Sequence, residues 1–365
     1  MAPPFERSIA HLDLDAFYAT VEEVVNPALK GQPIMVVMGE DLISRGVVAT
    51  ASYAARRLGV HSAMAVSQAR KLCPEGVYLP VRHALYEDFS HEVMTLLAAE
   101  MVQLEQVSID EAYLDLSDRA DPTKLMVELQ DRIVQKLGLS ASVGLATNKL
   151  TAKMASGYKK PAGLTVVLPG EEAAFLAPLA VGKLHGVGPK SVQRLEQHGI
   201  TTIGELAEAE LSLLQELFGP RLGIELHQRA SGEDDRPIVT ERAAKSFSYE
   251  QTYFEPLSDR REFWRQIREM SAGLEARLKS RGLLARTVSI KLRFNDWRTI
   301  TRAQTLLVPT DQAVTIAESA GELMRQTWKR GTPLRLLGVR VSNFCEPDAP
   351  RQLLLPNHSL PENKN

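Results

Sequence analysis

The sequence has few of the features that mark secreted or membrane proteins. Only two cysteines, Cys73 and Cys345, occur in 365 residues, and they lie too far apart to form a metal-binding motif. No apolar run approaches the roughly 18 residues that a membrane span needs. The first residues also lack the basic start and apolar stretch of a signal peptide. We therefore expect a reduced, cytoplasmic protein that does not associate with membranes.

The common glycine-rich nucleotide-binding motifs are missing as well. The chain contains no G-x-x-x-x-G-K-S/T, so it is not a P-loop enzyme, and no G-x-G-x-x-G follows a predicted strand. Any nucleotide must therefore be bound by other means.

The composition and the distribution of charge indicate several domains. The chain is 44% hydrophobic and 24% charged, which is typical of soluble globular proteins, and its length predicts two to four domains. The net charge of −2 conceals an asymmetry. Residues 1–240 carry 22 Lys and Arg against 31 Asp and Glu, whereas residues 241–340 carry 19 against 11. This distribution is expected when the second part binds a polyanion.

Hydrophobic periodicity predicts an open sheet in the first part of the chain. Strands are expected at Ser8–Leu14, Gln106–Leu116 and Leu139–Ala146, and helices at Ala16–Val25 and Lys124–Gly138. A β-α-β-β-α-β order with helices on one face is ferredoxin-like.

The remainder of the chain is predicted to form a helical region and a separate α+β module. Residues 175–230 have helical patterns separated by glycine-containing turns. Residues 231–237 are polar and form the best linker candidate. Residues 244–342 alternate as strand, helix, strand, strand, helix and strand.

Acidic residues occur in two of the predicted strands. Asp13 and Asp15 close the first strand, where alternate residues share a face, while Asp110 and Glu111 lie in the segment 108–115. No Arg or Lys is adjacent to either pair, and a carboxylate in an apolar strand needs a partner. Mg²⁺ prefers carboxylates and substrate phosphates, and two such ions promote phosphoryl transfer. A single Asp is more often a strand-end cap, but two acidic strands in one sheet favour a metal site.

Two other segments supply groups that suit a triphosphate. Thr50 ends a strand, and Tyr53 and Arg56 follow it on one helix face. Further along, lysines at spacings of four and seven are expected on one stripe of a helix, where they would neutralise a polyphosphate. These lysines are Lys149, Lys153 and Lys160. The alternative is a solvated lysine face.

A glycine turn joins two predicted helices within the segment 181–191. Gly186, Val187 and Gly188 form the turn, and Lys190 follows in the next helix. Glycines allow backbone N–H groups to approach a phosphate at a helix N-terminus, so this hairpin is a candidate DNA-backbone contact. A simple helix–helix connection is the alternative.

Four of these segments together resemble one family. The order and separation of His11–Tyr18, Thr50–Arg56, Ser108–Tyr113 and Leu184–Gly188 are similar to those of Y-family DNA polymerases, specifically the DNA polymerase IV (DinB) branch. The resemblance covers about residues 8 to 345. It implies an α+β multidomain fold with a ferredoxin-like palm, small fingers, a helical thumb containing a helix-hairpin-helix, and a C-terminal α+β little finger that binds DNA.

The resemblance also implies domain boundaries. The palm would comprise 1–22 and 80–170, the fingers 23–79, the thumb 171–235, the linker 236–243, the little finger 244–345 and a flexible tail 346–365. In that tail, a short segment is similar to a bacterial clamp-binding peptide, although Pro356 follows it in place of an aromatic residue. Its contact residues would be Gln352, Leu353 and Leu355.

By the same resemblance, specific residues acquire roles. Asp13, Asp110 and Glu111, with the backbone carbonyl of Leu14, would bind two Mg²⁺ ions, for which Mn²⁺ can substitute. Tyr18 would be the steric gate against a ribose 2′-OH. The residues that would contact the dNTP are Phe17, Tyr18, Thr50, Tyr53, Arg56 and Lys160.

The function expected from these patterns is template-directed DNA synthesis of the translesion type, distributive and of low fidelity, by a monomer in DNA damage tolerance. Its partners would be primer-template DNA, a dNTP and the sliding clamp. Three alternatives remain open on sequence grounds: a nucleotide cyclase, a non-catalytic DNA-binding adaptor, and a single-nucleotide transferase of the same family.

Overall fold

The computed structural model describes residues 7–39, 42, 46–100, 103–241 and 243–347. The chain divides into two compact units, unit 1 (Met1–Arg242) and unit 2 (Ala243–Asn365). Throughout the described ranges, no helix has both the length and the apolar character needed to cross a membrane. The predicted clamp-binding residues Gln352, Leu353 and Leu355 lie outside the described residues.

Unit 1 contains both strands and helices. The strands are β1 (Ile9–Leu14), β2 (Ile34–Met38), β3 (Val47–Ala51), β4 (Val77–Pro80), β5 (Leu104–Gln106), β6 (Glu111–Asp115), β7 (Ala141–Ala146) and β8 (Leu164–Val166). The helices are α1 (Phe17–Val25), α2 (Tyr53–Arg57), α3 (Val66–Leu72), α4 (His83–Ala98), α5 (Pro122–Leu137), α6 (Lys149–Ser156), α7 (Glu172–Leu176), α8 (Pro189–Glu196), α9 (Ile203–Glu208), α10 (Leu211–Phe218) and α11 (Pro220–Ala230).

The largest sheet of unit 1 has the strand order β5-β6-β1-β7-β8. β1 lies in the middle and is antiparallel to both β6 and β7. Residues Ala10, Leu12 and Leu14 of β1 face a core that includes α1, α4 and α5. Ile9, on the other face, packs with Ala155 of α6. The ferredoxin-like prediction is confirmed, and α6 packs on the face of the sheet opposite α1, α4 and α5.

Local sequence signals explain where α5 begins and ends. The Asp121 side chain accepts a hydrogen bond from the Lys124 backbone N–H, and Pro122 occupies the first helical position. Gly138 ends the helix with φ of 67°, a conformation that glycine adopts without a steric penalty.

A smaller sheet in unit 1 has the order β3-β2-β4. β2 is antiparallel to β3 and parallel to β4. This sheet packs with α2 and α3 around its own hydrophobic core, which includes Met35, Val48 and Ala69.

Helices α7 to α11 share a third core in unit 1. The segment that follows α11, predicted to be a polar hinge, is hydrogen-bonded to the rest of unit 1. The Leu150 backbone N–H donates to Asp234 at 2.9 Å, and the Val239 backbone N–H donates to buried Glu105 at 2.8 Å. The polar residues of this segment therefore belong to a hydrogen-bonded part of unit 1 and not to a free hinge.

The described residues of unit 2 form a four-stranded antiparallel sheet with two helices. Its elements are β9 (Ser246–Leu257), α12 (Arg260–Ser280), β10 (Leu284–Phe294), β11 (Thr299–Thr310), α13 (Ala313–Thr327) and β12 (Leu334–Cys345). The strand order is β11-β10-β12-β9. Val288, Ile290 and Leu292 of β10 alternate with polar residues and form a core with both helices, as the period of two predicts.

Candidate active site

The three carboxylates predicted to be catalytic come from neighbouring strand ends. In the register of β1 with β6, Asp13 is directly opposite Glu111. The next residue, Leu14, donates its backbone N–H to the Asp110 carbonyl at 2.9 Å. Asp110 itself is partly exposed, and the Ser108 hydroxyl donates to its carboxylate at 2.5 Å. Strand pairing therefore brings together residues that are almost 100 positions apart.

Each of two carboxylates has a lysine partner that lies far from it in the sequence, although no Arg or Lys is adjacent to either carboxylate along the chain. Lys160 forms an ion pair with Asp13, and Lys153 donates to both Glu111 oxygens at 2.8 Å. Within the described part of the chain, no three His, Cys, Asp or Glu side chains are grouped closely enough to hold a metal. The donor set is nevertheless chemically suited to Mg²⁺, because it consists of carboxylates at one sheet end that already attract cations.

The two paired carboxylates differ in their protonation. Burial raises the pKa of Asp13 to about 6 even though Lys160 opposes the shift. His11 and the hydrogen bonds from Lys153 hold the pKa of Glu111 well below its usual range. Glu111 is therefore fully ionised at neutral pH, and Asp13 is the carboxylate with the larger desolvation cost.

His11 lies beneath these carboxylates and is fully buried. Its Nδ1 is 2.7 Å from the Ser156 hydroxyl, and its Nε2 is 3.8 Å from Glu111. Burial lowers the pKa of His11 to about 4, so the ring is neutral at pH 7. The neutral ring adds no positive charge that would compete with a metal ion for the carboxylates.

Asp15 does not belong to the acidic cluster, although its spacing from Asp13 suggested a shared face. The strand ends at Leu14, and the buried Asp15 carboxylate turns toward other donors. It accepts hydrogen bonds of 2.8 to 3.2 Å from three hydroxyls and one backbone N–H. The donors are Tyr53, Ser140, Ser142 and the Ala162 backbone. Asp15 is therefore a structural residue that joins three segments of unit 1.

The predicted gate residue Tyr18 rests on an aromatic ring that was not predicted. Its ring stacks on that of Tyr86 from α4, with centroids 4.2 Å apart and planes within 11°. Phe17, predicted to contact the nucleotide, is buried in the core, and its ring lies 5.6 Å from that of Tyr18. The Phe17 side chain therefore lies in the core beside the Tyr18 ring. In the sequence, only the aromatic character of Tyr86 could have indicated that its ring stacks on Tyr18.

The residues predicted to bind triphosphate begin at the end of β3. Thr50 is partly exposed on this strand. At the start of α2, the Tyr53 hydroxyl donates to Asp15 at 3.2 Å, which holds it near the end of β1. The Arg56 guanidinium lies 5.1 Å from the Tyr53 ring centroid and donates to the Ala51 carbonyl at 2.9 Å. Tyr53 and Arg56 therefore do share a face.

The predicted stripe of three lysines is wrong. Helix α6 ends at Ser156, so Lys160 lies beyond it. Lys149 is buried, forms an ion pair with Glu105 at 2.5 Å, and lies 4.8 Å from the Tyr113 ring centroid. A helical stripe cannot continue past the end of its helix, so only Lys153 and Lys160 reach the carboxylates.

The glycine hairpin consists of a short 3₁₀ turn, Val181–Lys183, and α8. Gly186 has φ of 98°, and a Cβ there would lie 2.5 Å from the Arg229 guanidinium. Val187 is buried, whereas Lys190 is exposed at the start of α8. Gly188, at the N-cap, faces open space. The turn thus presents an accessible helix N-terminus next to a cation.

A cavity of about 400 Å³ lies between Asp13 and the 3₁₀ turn. Its lining includes Lys153, Tyr158, Lys183 and His185. Burial and the nearby Lys153 lower the pKa of His185, so this ring is neutral at pH 7. The cavity therefore combines a carboxylate with cationic groups, as suits a polyanionic chain approaching the acidic site.

Family models match both units. A model described as the impB/mucB/samB family matches residues 12–157, and the C-terminal domain of the same family matches residues 244–355. A model described as the DNA polymerase-iota thumb domain matches residues 182–234.

Curated relatives match nearly the whole chain. The DNA polymerase IV of Alkalilimnicola ehrlichii is 41% identical over 96% of this chain and 99% of its own length. That of Methanoculleus marisnigri is 40% identical over 92% of this chain and 94% of its own. These relatives do not favour the adaptor and single-nucleotide transferase alternatives.

Solved structures agree with this result. A Y-family polymerase chimera of Dbh and Dpo4 is 27% identical, covers 93% of this chain and 99% of its own, and superposes with a TM-score of 0.83. An insertion ternary complex of Dbh DNA polymerase is 26% identical over the same shares, with a TM-score of 0.68. The chain belongs to the Y family of DNA polymerases, in the DNA polymerase IV group.

Proposed function

We propose that this translesion-type DNA polymerase adds deoxynucleotides to a primer 3′ end at the site formed by Asp13, Asp110 and Glu111. The observation that carries the proposal is the pairing of two of these carboxylates with Lys160 and Lys153 at one end of a sheet. Such a site already balances negative charge with cations, which is the electrostatic requirement of phosphoryl transfer.

The carboxylates, with the Leu14 carbonyl, would hold two Mg²⁺ ions, and Mn²⁺ can substitute for them. These ions would supply the charge that activates the primer hydroxyl and stabilises the pyrophosphate leaving group. The lysines would then give up their carboxylate partners. Lys160 would turn to the triphosphate, together with Thr50, Tyr53 and Arg56. Tyr18, as the steric gate, would exclude a ribose 2′-OH.

The remaining parts of the chain are assigned by the same proposal. The palm comprises residues 1–22 and 80–170, the fingers 23–79 and the thumb 171–235. A linker at 236–243 precedes the little finger at 244–345. The turn at Gly186, Val187 and Gly188, with Lys190, would contact the DNA backbone. Unit 2, which carries the basic segment, would bind DNA independently of its sequence. The polymerase would act as a distributive monomer.

The test is primer extension on an undamaged template with Mg²⁺ and single dNTPs, comparing the wild-type protein with Asp110→Ala. We expect templated addition by the wild type and a loss of about 10²- to 10³-fold in the variant, the scale for removing one group that stabilises transition-state charge. Primer-template binding should be nearly unchanged. Asp118→Ala, which removes an exposed carboxylate in the loop after β6, is the matched control and should extend normally. Loss of both DNA binding and folding in Asp110→Ala would mean that the residue is structural.

A further inference from the structure

The ring beneath Tyr18 is held by a buried polar network. Tyr86 is fully buried, and its hydroxyl donates to the Glu22 carboxylate at 2.6 Å. The Arg82 Nε donates to the same oxygen at 2.9 Å, and its terminal nitrogen pairs with the other oxygen of Glu22. Glu22 is only 3% exposed, so its charge depends on these donors.

Helical spacing makes these four residues a unit. Tyr18 and Glu22 are four apart on α1, and Arg82 and Tyr86 are four apart at the start of α4. Residues at this spacing lie on one face of a helix, so two such pairs meet across the contact between the helices. Burial and Glu22 raise the pKa of Tyr86 well above its usual value, so the hydroxyl remains a donor at any physiological pH.

The geometry fixes the position of the Tyr18 ring from below. Two nearly parallel rings 4.2 Å apart are in van der Waals contact, so Tyr18 cannot move toward Tyr86. Tyr86 in turn cannot sink into the core while its hydroxyl is bound to a carboxylate that Arg82 holds in place. Tyr86, Glu22 and Arg82, which lie outside the proposed nucleotide site, therefore determine the position of the free face of the Tyr18 ring.

We propose that Glu22 is a positioning residue for sugar selection: together with Arg82, it holds the Tyr86 hydroxyl and so sets the height of the Tyr18 ring against the nucleotide sugar. The inference rests on the gate role of Tyr18 in the proposed function. A steric gate discriminates by contact, and a displacement of less than 1 Å is enough to create or remove that contact.

The test compares Tyr86→Phe and Glu22→Gln with the wild type, using kcat/KM for a dNTP and for the matching rNTP. Tyr86→Phe keeps the stacked ring but removes its anchor, so the preference for dNTP should fall by roughly tenfold, the scale of a sub-ångström misplacement. Most of that change should come from faster rNTP addition. Glu22→Gln retains an oxygen that accepts the hydroxyl and should give a smaller change.

Matched controls are available for both substitutions. Tyr78→Phe removes a hydroxyl on β4 that donates to the Cys73 carbonyl at the end of α3. Glu23→Gln removes a partly exposed carboxylate from the next position of α1. Neither should change the preference for dNTP. A loss of kcat/KM that is equal for the dNTP and the rNTP in Tyr86→Phe would mean that the network only stabilises the helix contact, and would overturn the proposal.

Tyr18→Ala, measured in parallel, separates this proposal from the gate itself. If Tyr18→Ala admits rNTP whereas Tyr86→Phe and Glu22→Gln do not, the inference fails and the gate stands. If Tyr18→Ala leaves the sugar preference unchanged, Tyr18 is not the gate, and the positioning role of Glu22 that rests on it fails as well. In a Tyr18→Ala background, Tyr86→Phe should cause no additional loss of preference, because no ring remains to be positioned.

Discussion

Asp13 and Asp15 are two residues apart in sequence, yet their surroundings are opposite. Asp13 has one lysine partner and a pKa raised to about 6 by burial. Asp15 accepts four hydrogen bonds within a buried junction. The fold thus disfavours the charge of Asp13 and depends on the carboxylate of Asp15. This difference agrees with the proposed metal-binding role of Asp13 and with the structural role of Asp15.

The same substitution should therefore lower stability at Asp15 but not at Asp13. Asp15→Asn replaces one carboxylate oxygen by an amide N–H₂, which then faces two of the four donors, and should lower the free energy of unfolding by about 3 kcal/mol. Asp13→Asn should leave it unchanged or raise it at pH 7.5, while abolishing primer extension. Because the folded pKa of Asp13 lies above the unfolded value of 3.8, stability due to Asp13 falls as the pH rises from about 4 to about 6. In Asp13→Asn, this decrease of stability between about pH 4 and pH 6 should be absent.

Urea unfolding at pH 7.5 and at pH 5 measures both effects. A strong destabilisation by Asp13→Asn at pH 7.5 would contradict the prediction, since it would mean that the ion pair with Lys160 outweighs the burial of Asp13.

The sequence revealed the acidic residues but not what neutralises them. Lys160 is 147 residues from Asp13, and Lys153 is 42 residues from Glu111. Neither pairing follows from local patterns, since it depends on how α6 and the segment after it pack against β1. Tyr86 was missed for a related reason. Its contact with Tyr18 depends on how α4 packs against α1, and no local pattern in the sequence records that contact.

Elements with strong local signals were predicted well, and those that depend on distant pairing were not. β1 and α1 lie within one residue of their predicted bounds because alternation and the Asn26-Pro27 stop define them. β4 and β8 were not predicted. Each has only three or four residues, and each is held by parallel pairing to a strand earlier in the chain. Segments this short carry too few residues to show a period.

Helix α9 provides a prediction for a single element, because it begins with a capping box. Thr202 accepts from the Glu205 backbone N–H, and Glu205 accepts from the backbone N–H groups of Thr201 and Thr202. These bonds lower the pKa of Glu205 to about 2, below the unfolded value of 4.5. The stabilisation they supply is therefore complete above about pH 4.5 and is lost as the pH falls toward 2.

Glu205→Gln should consequently reduce the loss of stability between pH 5 and pH 3. Thermal melting at several pH values in this range measures the effect. Glu208→Gln, at an exposed position of the same helix, removes an equal charge and should retain the wild-type pH dependence. If the two variants behave alike, net charge rather than the capping box controls acid stability in this helix.

On the scale of the whole molecule, the charge asymmetry of the sequence corresponds to the two units. The acidic residues 1–240 fall in unit 1, and the basic residues 241–340 lie almost wholly in unit 2. In unit 2 the helices cover one face of the sheet, and polar residues of β10 point to the other. Arg293 on β10 shares this face, which no described helix of unit 2 covers, with Arg340 on β12, because Arg340 pairs with Ser289, an even number of residues from Arg293. Such a face suits the phosphate backbone of DNA.

Replacing both arginines by serine should weaken DNA binding and make it less dependent on salt. Each phosphate contact adds about 0.9 to the slope of log K against log salt concentration, so the double variant should lose roughly 1.8 from that slope. Fluorescence anisotropy of a primer-template between 50 and 300 mM salt measures it. Arg261→Ser with Arg268→Ser removes the same charge from the exposed side of α12 and should leave the slope nearly unchanged. Equal losses in the two double variants would mean that DNA responds to the net charge of unit 2 and not to its uncovered sheet face.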